Sequence, residues 1–307
     1  MAGRFEEICN LFVEKKKRYV RISTICVYRT IIDKHLIPYF KDKEEINDEL
    51  VQGFILDKLN CGYSTKRIKD RIVVLKRVAS FSMKLNRRER NLSRTLFPLK
   101  EEKKNTPVRS KKEERKLILY LETHFSFENL GVLICLQTGL RIGEICGLMW
   151  KDISIETNEI SVNRTIERIY LNGKEEKTKL IVSQPKTISS KRSIPLSSSL
   201  LRIRKPLKKI VNDSYYLLTN SLKPIEPRVY RKHFNRRLMD AGIKPIRFHG
   251  LRHTFATRCI EYNANCKAVS SILGHSNIST TLNLYVHPNG EEKKKCIEVM
   301  MRQIRKK

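Results

Sequence analysis

Phe248-His-Gly-Leu-Arg-His-Thr254 is the string on which the reading of this chain turns. His249 and Arg252 are three residues apart, so at the start of a helix they share one face, and His253 adds a second imidazole. A His-x-x-x-His spacing can hold zinc. Here the glutamate of the zinc-protease motif is absent, and Arg252 would repel a cation, so an anion is the better partner. Two further strings carry the same chemistry. Thr138-Gly-Leu-Arg-Ile-Gly-Glu144 places Arg141 where one helix ends and the next begins, and a guanidinium beside free N–H groups suits a phosphate. Leu273-Gly-His-Ser-Asn-Ile-Ser-Thr-Thr-Leu-Asn-Leu-Tyr285 reads as a helix end turned by Gly274 that presents His275. A short helix capped by Asn277 or Ser279 then carries Tyr285. Lys186 opens the polar turn Pro185-Lys-Thr-Ile-Ser-Ser-Lys-Arg192, with Lys191 and Arg192 as rivals for any role. Taken singly, each residue has an ordinary reading: a surface arginine, a turn lysine, a core tyrosine. Taken together they are the tools for breaking a phosphodiester without a metal.

The rest of the composition agrees. The chain has 307 residues, enough for two domains, and 63 Lys+Arg against 32 Asp+Glu give a net charge of +31. Residues 1–104 hold 25 basic and 14 acidic side chains, so both halves are basic. That suits a polyanion gripped by both, rather than a basic tail on a neutral core. At 40% hydrophobic the chain can still bury real cores. The eight cysteines are dispersed, without a Cys-x-x-Cys, and read as small core residues. No apolar run reaches the ~18 residues of a membrane span. Phe5-Glu-Glu-Ile8 is charged where a signal peptide would be apolar. A soluble, cytoplasmic protein is the expectation.

Patterning predicts a mainly α chain with a small antiparallel β-sheet. Phe5, Ile8, Cys9 and Phe12 follow the helical period. A second helix capped by Ser23 or Thr24 should run through Ile25, Tyr28, Ile32 and Leu36 and stop near Pro38. A third spans about 48–59. A fourth follows Ser64-Thr65, with Ile68, Ile72, Leu75 and Ala79 on one side. Lys66, Arg67, Lys69, Arg71, Lys76 and Arg77 crowd the rest of that helix. A charged face is usually just solvated, but the near absence of acids over 64–88 tilts this one toward DNA phosphates. Residues 97–112 read as a linker, and Ser110-Lys-Lys-Glu113 as a capping box opening a helix with Leu117, Leu119 and Leu121. The helix around Leu130–Leu136 ends at Thr138-Gly139. Strand alternation follows at Ile153, Ile155, Ile160, Val162 and Ile166, with Asn172-Gly173 as a hairpin signal and 188–196 completing one sheet. Helices return beyond Arg228, and a last amphipathic helix holds Ile297, Met300, Met301 and Ile304.

In residue type, order and spacing, the strings around Arg141, His249/Arg252 and His275/Tyr285 resemble those of the tyrosine recombinases, the phage-integrase and Xer-type family. The resemblance covers the whole chain. It implies a helical, SAM-like core-binding domain at 1–98, a linker at 99–112, a catalytic domain at 113–288, and a C-terminal helix at 289–307 that packs on a neighbouring protomer. The family's sheet lysine falls on Lys186. Glu144 matches the acidic position after the first arginine and supports it, as His253 supports its neighbours. About a hundred residues precede the linker, which leaves no room there for the arm-site-binding domain of larger integrases.

By resemblance, Tyr285 attacks a DNA phosphate, forms a 3′-phosphotyrosine and releases a 5′-hydroxyl. Free tyrosine, with a pKa near ~10, is a poor nucleophile at neutral pH. His249 is the candidate base, Arg141 and Arg252 clamp the non-bridging oxygens, His275 donates to them, and Lys186 protonates the leaving oxygen. The covalent link conserves the bond energy, so no metal, nucleotide or other cofactor is expected. Rejoining to a different strand gives site-specific recombination, in integration or excision of a mobile element or a related rearrangement. The partners implied are double-stranded DNA, three further copies of the chain on two sites, and a directionality or DNA-bending factor in some systems. A type IB topoisomerase would rejoin the same strand, but the Leu-Gly-His and His-x-x-Arg-His strings favour a recombinase. A non-catalytic DNA-binding protein of the same fold should have lost one of the six residues, and none is lost.

Overall fold

The computed structural model describes residues 4–43, 45–84, 92, 96–97, 109–171, 177–185, 188–207, 209–282 and, near the C-terminus, 294, 297–298, 300–302 and 304. They fall into two units, one of residues 1–104 with 169–179, the other of 105–168 and 180–307. The helical content and small antiparallel pairings expected from the sequence are present.

The first unit is helical. It comprises α1 (Arg4–Lys17), α2 (Ile22–Ile31), α3 (Ile37–Phe40), α4 (Asp48–Asn60) and α5 (Thr65–Met83). Its core is aromatic: Phe5, Phe12, Tyr28, Phe40 and Phe54 are buried, and Tyr39 meets Phe54 edge-on with centroids 5.0 Å apart. Asn47 caps α4 by accepting a hydrogen bond from the Leu50 N–H at 2.8 Å.

The second helix departs from expectation at both ends. Arg21, not Ser23 or Thr24, occupies the N-cap, and its side chain makes no cap bond. The helical path also does not stop at Pro38. A π turn over Ile32–Leu36 precedes it, and the Ile37 N–H reaches back to the Ile32 carbonyl. Proline lacks an N–H and its ring presses on the carbonyl four residues earlier. The wider turn relieves that conflict and carries the chain on to the fully buried Phe40.

The second unit is organised on α7 (Phe127–Thr138), buried continuously from Asn129 to Cys135. Its middle, residues 130–136, is apolar on every side, which places that stretch inside a core. Around it stand α6 (Lys111–Thr123), α8 (Ile142–Cys146), α9 (Ser198–Leu207), α10 (Pro227–Asp240), α11 (His249–Glu261), α12 (Cys266–Leu273) and α13 (Ser279–Leu282). Trp150, Tyr230, Phe234 and Phe248 fill the core, and the Tyr230 hydroxyl donates to the Glu128 carbonyl at 2.9 Å. The capping box opens α6: Ser110 Oγ accepts from the Glu113 N–H at 3.2 Å, and the Ser110 N–H donates to Glu113 Oε2 at 3.1 Å. Leu117 and Leu121 are buried, while Leu119 faces solvent. Cys9, Cys135 and Cys146 are buried free thiols.

The strands form two sheets rather than one. β1 (Ile153–Ser154), β2 (Glu159–Val162) and β5 (Arg192–Pro195) pair antiparallel in the order β1-β2-β5, with Ile160 opposite both Ile153 and Ile194. β3 (Thr165–Tyr170) and β4 (Thr178–Ser183) pair separately. The break lies at Asn163-Arg164. Buried Asp152 accepts from Asn163 Nδ2 at 3.1 Å and pairs with Arg164, which pulls the chain off the line of β2. The Asn172-Gly173 turn lies outside the described residues. Helix α9 was not foreseen, since Pro206 sits in its last turn. It starts where the Ser197 carbonyl accepts from the Leu201 N–H at 3.1 Å. In the last segment, residues 297, 298, 300–302 and 304 are helical, and Ile297, Met300, Met301 and Ile304 are each more than a third exposed.

Phe54 and Leu56 test the inside of α4 against its outside. Phe54 is fully buried among rings and Leu56 is 53% exposed. Phe54→Ala should cost about 3–5 kcal/mol in urea unfolding, and Leu56→Ala less than about 0.5 kcal/mol. Equal costs would contradict this packing.

Candidate active site

Arg252 ties the site together. It stands on α11 and is 4% exposed. Its Nη1 donates to the Gly139 carbonyl at 2.9 Å and its Nη2 to the Leu273 carbonyl at 2.7 Å. These carbonyls end α7 and α12, where helices leave acceptors unsatisfied and carry partial negative charge. Both helices turn off through a left-handed glycine, Gly139 and Gly274, each at φ +64°. A Cβ on Gly139 would also meet Leu273 Cδ2 at 2.6 Å, so the two helix ends approach closely only because this residue is glycine. Burial, then the nearby charge of Arg141, pulls the Arg252 guanidinium down to about 9.

Arg141 follows Gly139 by two residues and sits at the N-cap of α8. Its backbone N–H donates to Glu144 Oε2 at 2.9 Å, its Nη1 to Glu144 Oε1 at 2.8 Å, and its Nη2 to the Gly274 carbonyl at 3.3 Å. Its side chain keeps 38% of its surface open. Glu144 is 5% exposed. Burial opposes its charge, but hydrogen bonds from Arg192 and Arg141 outweigh that and hold its carboxyl below the ordinary range.

His275 follows Leu273 by two residues. Its Nδ1 lies 2.8 Å from the hydroxyl of Thr281, itself fully buried on α13. Burial, then the charges of Arg252, Arg141 and Arg192, lowers its pKa to about 4. His249 opens α11 and is likewise lowered to about 4, by burial, His253, Arg252 and Arg141. The rings of His249 and His253 meet edge-on, with centroids 4.8 Å apart. Both His249 and His275 are therefore neutral at pH 7 in the free protein. A neutral imidazole can accept a proton at one nitrogen and donate from the other. A cleft of about 610 Å³ opens here, lined by Arg141, Glu144, Glu167, Ser190, His275 and Ser276.

Of the six residues expected at the site, four are brought together: Arg141, His249, Arg252 and His275. Lys186 and Tyr285 lie outside the described residues. Lys191 is exposed, whereas Arg192 is buried against Glu144. Two partners had no such place in the sequence reading: Arg192 stood only as a rival to Lys186, and Thr281 had no role. Arg192 was legible in principle: on β5 it shares the inward face with Ile194, two residues on. Thr281 gave no signal, because a buried threonine looks like any other.

On α5, Lys66, Arg67 and Arg77 are exposed, while Lys69 and Lys76 are half-buried. Arg71 departs from the expected DNA-facing set. It is 9% exposed, its guanidinium lies over the Tyr63 ring at 4.8 Å, Nη1 donates to the Arg67 carbonyl at 2.6 Å, and Nη2 lies 2.8 Å from His35 Nε2. Position 71 falls three residues after Ile68 and four before Leu75, within the buried stripe, so the helical period turns it inward. Among the described residues, no three His, Cys, Asp or Glu side chains are grouped so that they could hold a metal ion.

Comparison with known proteins gives the family and the fold. The phage integrase family model matches residues 107–292, and the phage integrase N-terminal SAM-like domain matches residues 4–48. A XerC-like tyrosine recombinase of Caldanaerobacter subterraneus is 36% identical over 185 residues, covering 55% of this chain and 47% of that protein. The ICEBs1 integrase of Bacillus subtilis is 23% identical over 277 residues, covering 85% of this chain and 73% of that protein. Among solved structures, the Tn1549 transposon integrase in complex with transposon right end DNA superposes with a TM-score of 0.76 at 22% identity, over 96% of this chain and 99% of that one. At that identity the likeness speaks for the fold. The family match spans more than half of the chain, and the chain belongs to the phage integrase family of tyrosine recombinases.

Proposed function

We propose that this chain performs site-specific DNA recombination for integration and excision of a mobile element, cleaving and rejoining strands through a 3′-phosphotyrosine. One observation carries the reading. The buried Arg252 grips the carbonyls two residues before Arg141 and two residues before His275, so it ties three distant strings together, and Arg141 and His275 both line one cleft. Arg252 is held there by carbonyl dipoles, which leave its charge in place for an anion. Charge that grows on the non-bridging oxygens would meet Arg141, Arg252 and His275 already oriented. Tyr285 is the proposed nucleophile, His249 the base that takes its proton, and Lys186 the acid at the leaving 5′-oxygen. Glu144 and His253 support their neighbours.

Residues 1–98 and 113–288 would grip duplex DNA, with Lys66, Arg67, Lys69, Lys76 and Arg77 on phosphates. Lambda integrase has been solved as a dimer bound to a core site and as a tetramer bound to a Holliday junction. We extend the same kind of assembly to this chain, four copies on two DNA sites. The exposed stripe of Ile297, Met300, Met301 and Ile304 suits the docking of residues 289–307 on a neighbouring copy. Its substrate puts its place of work in the cytoplasm.

Three measurements test the chemistry. On a nicked suicide substrate the wild type should trap a covalent protein–DNA adduct, and Tyr285→Phe should bind equally well and trap none. An adduct in the phenylalanine variant would assign the nucleophile elsewhere. Lys186→Ala should slow cleavage, and a 5′-bridging sulfur should restore it, because a thiolate leaves without a proton. Rescue of Lys191→Ala instead would transfer the acid to Lys191.

The third concerns pH. A phosphate beside His275 favours the protonated ring, so DNA binding should raise its pKa from about 4 and take up a proton. Binding by Tyr285→Phe should tighten as pH falls from 7 toward 5 at fixed salt, and His275→Asn should flatten that slope. Folding runs the other way. The unfolded rings, near 6.5, accept protons that the folded rings, near 4, refuse. Stability is therefore lost as pH falls through that window, and the folded fraction must be followed alongside. Binding by Tyr285→Phe that ignores pH while the protein stays folded would remove His275 from the phosphate.

A further inference from the structure

Arg192 is a charged side chain buried at the edge of the cleft, on β5 opposite Val162. It is 5% exposed. Nη1 lies 3.2 Å from Glu144 Oε1 and 3.1 Å from the Ser190 carbonyl, and Nη2 lies 3.0 Å from Glu144 Oε2. Nε donates to the Ile272 carbonyl in the last turn of α12. The turn leaves no slack: a Cβ on Gly274 would meet Arg192 Nη1 at 3.0 Å and the Ser189 carbonyl at 2.9 Å.

Glu144 is thus shared. Oε1 accepts from Nη1 of both arginines, while Oε2 accepts from Arg192 and from the backbone of Arg141. One negative charge sits between two positive ones. A carboxylate paired with Arg141 alone would cancel the charge that a phosphate needs to see, and would pull the guanidinium onto itself as a two-pronged pair. With Arg192 occupying both oxygens, Glu144 orients Arg141 without neutralising it, and the trio keeps a net charge of +1.

We propose that Arg192 is a positioning residue for strand cleavage: it neutralises Glu144 so that the charge of Arg141 stays available to the scissile phosphate, and its grip on the Ile272 carbonyl fixes the turn that presents His275. This rests on the cleavage reading above. A lysine cannot do the same work, since one ammonium cannot span both carboxylate oxygens and the Ile272 carbonyl in a fixed plane.

The test uses the full chain on the nicked suicide substrate, with single-turnover cleavage and DNA affinity measured side by side. Arg192→Met should bind DNA nearly as the wild type does, because one charge of +31 is lost, and should cleave about 10- to 100-fold more slowly, on the scale of losing one preorganised donor. Adding Glu144→Gln should recover about tenfold of that loss, because removing the negative charge frees Arg141 again. A purely structural role predicts the reverse, a double variant no faster than the single. Should Arg192→Met fail to fold, Arg192→Lys gives the same comparison: slower cleavage, recovered by Glu144→Gln. Wild-type cleavage in either Arg192 variant, or no recovery in the double variants, overturns the inference. Failure of the wild type itself to form an adduct would instead strike the cleavage reading, and this inference with it.

Discussion

Two hydrogen bonds from Arg252 hold the catalytic unit's chemistry in place. A buried guanidinium is expensive unless its donors are met, and here the ends of α7 and α12 meet two of them. The same bonds satisfy two carbonyls that those helices cannot satisfy themselves. Because each carbonyl lies two residues before a candidate site residue, the interaction fixes Arg141 and His275 without touching either. Gly139 and Gly274 make it possible by reversing the chain in a conformation that other residues pay to adopt.

The electrostatic pattern follows from that anchor. Burial first, and then the charges of Arg252 and Arg141 (with Arg192 for His275), depress the neighbouring histidines, so the cations carry the charge and the imidazoles stay neutral. Glu144 is the acid among them, and it is buried and shared. Three guanidiniums around one carboxylate repel one another, and a bound anion would lower that repulsion. This separates the site from an ordinary surface salt-bridge network, whose charges would cancel in pairs and whose side chains would be solvated. The cost is carried by the core behind it, where the buried apolar middle of α7 and the rings of Trp150, Tyr230, Phe234 and Phe248 supply burial that does not depend on ligand.

Much of this was legible in the sequence, and the misses have physical causes. Helix starts and stops written in local chemistry were readable: the Ser110/Glu113 box, the Thr138-Gly139 and Leu273-Gly274 ends, the apolar side of α5. The π turn before Pro38 was not, because the burial of Phe40 overrides the local rule that proline ends a helix. The split into two sheets was not, because Asp152 captures Asn163 and Arg164 from a distance that no strand pattern records. Arg71 was grouped with its charged neighbours by residue type, when its period placed it among Ile68, Ile72 and Leu75.

By itself, the sequence determined the helical segments, the glycine turns, the basic character of both halves, and the three strings that hold Arg141, His249, Arg252 and His275. These depend on residue type and short-range spacing, which a linear reading contains. Only the tertiary structure decided which charges are spent and which remain. Arg71 and Arg192 are as cationic as Arg141 in composition, yet the first is consumed within its own helical unit and the second is paired with Glu144. The reason is burial. The same side chain is a solvated charge, a structural clamp or an anion ligand according to the dipoles and carboxylates that surround it, and those come from segments far apart in the chain.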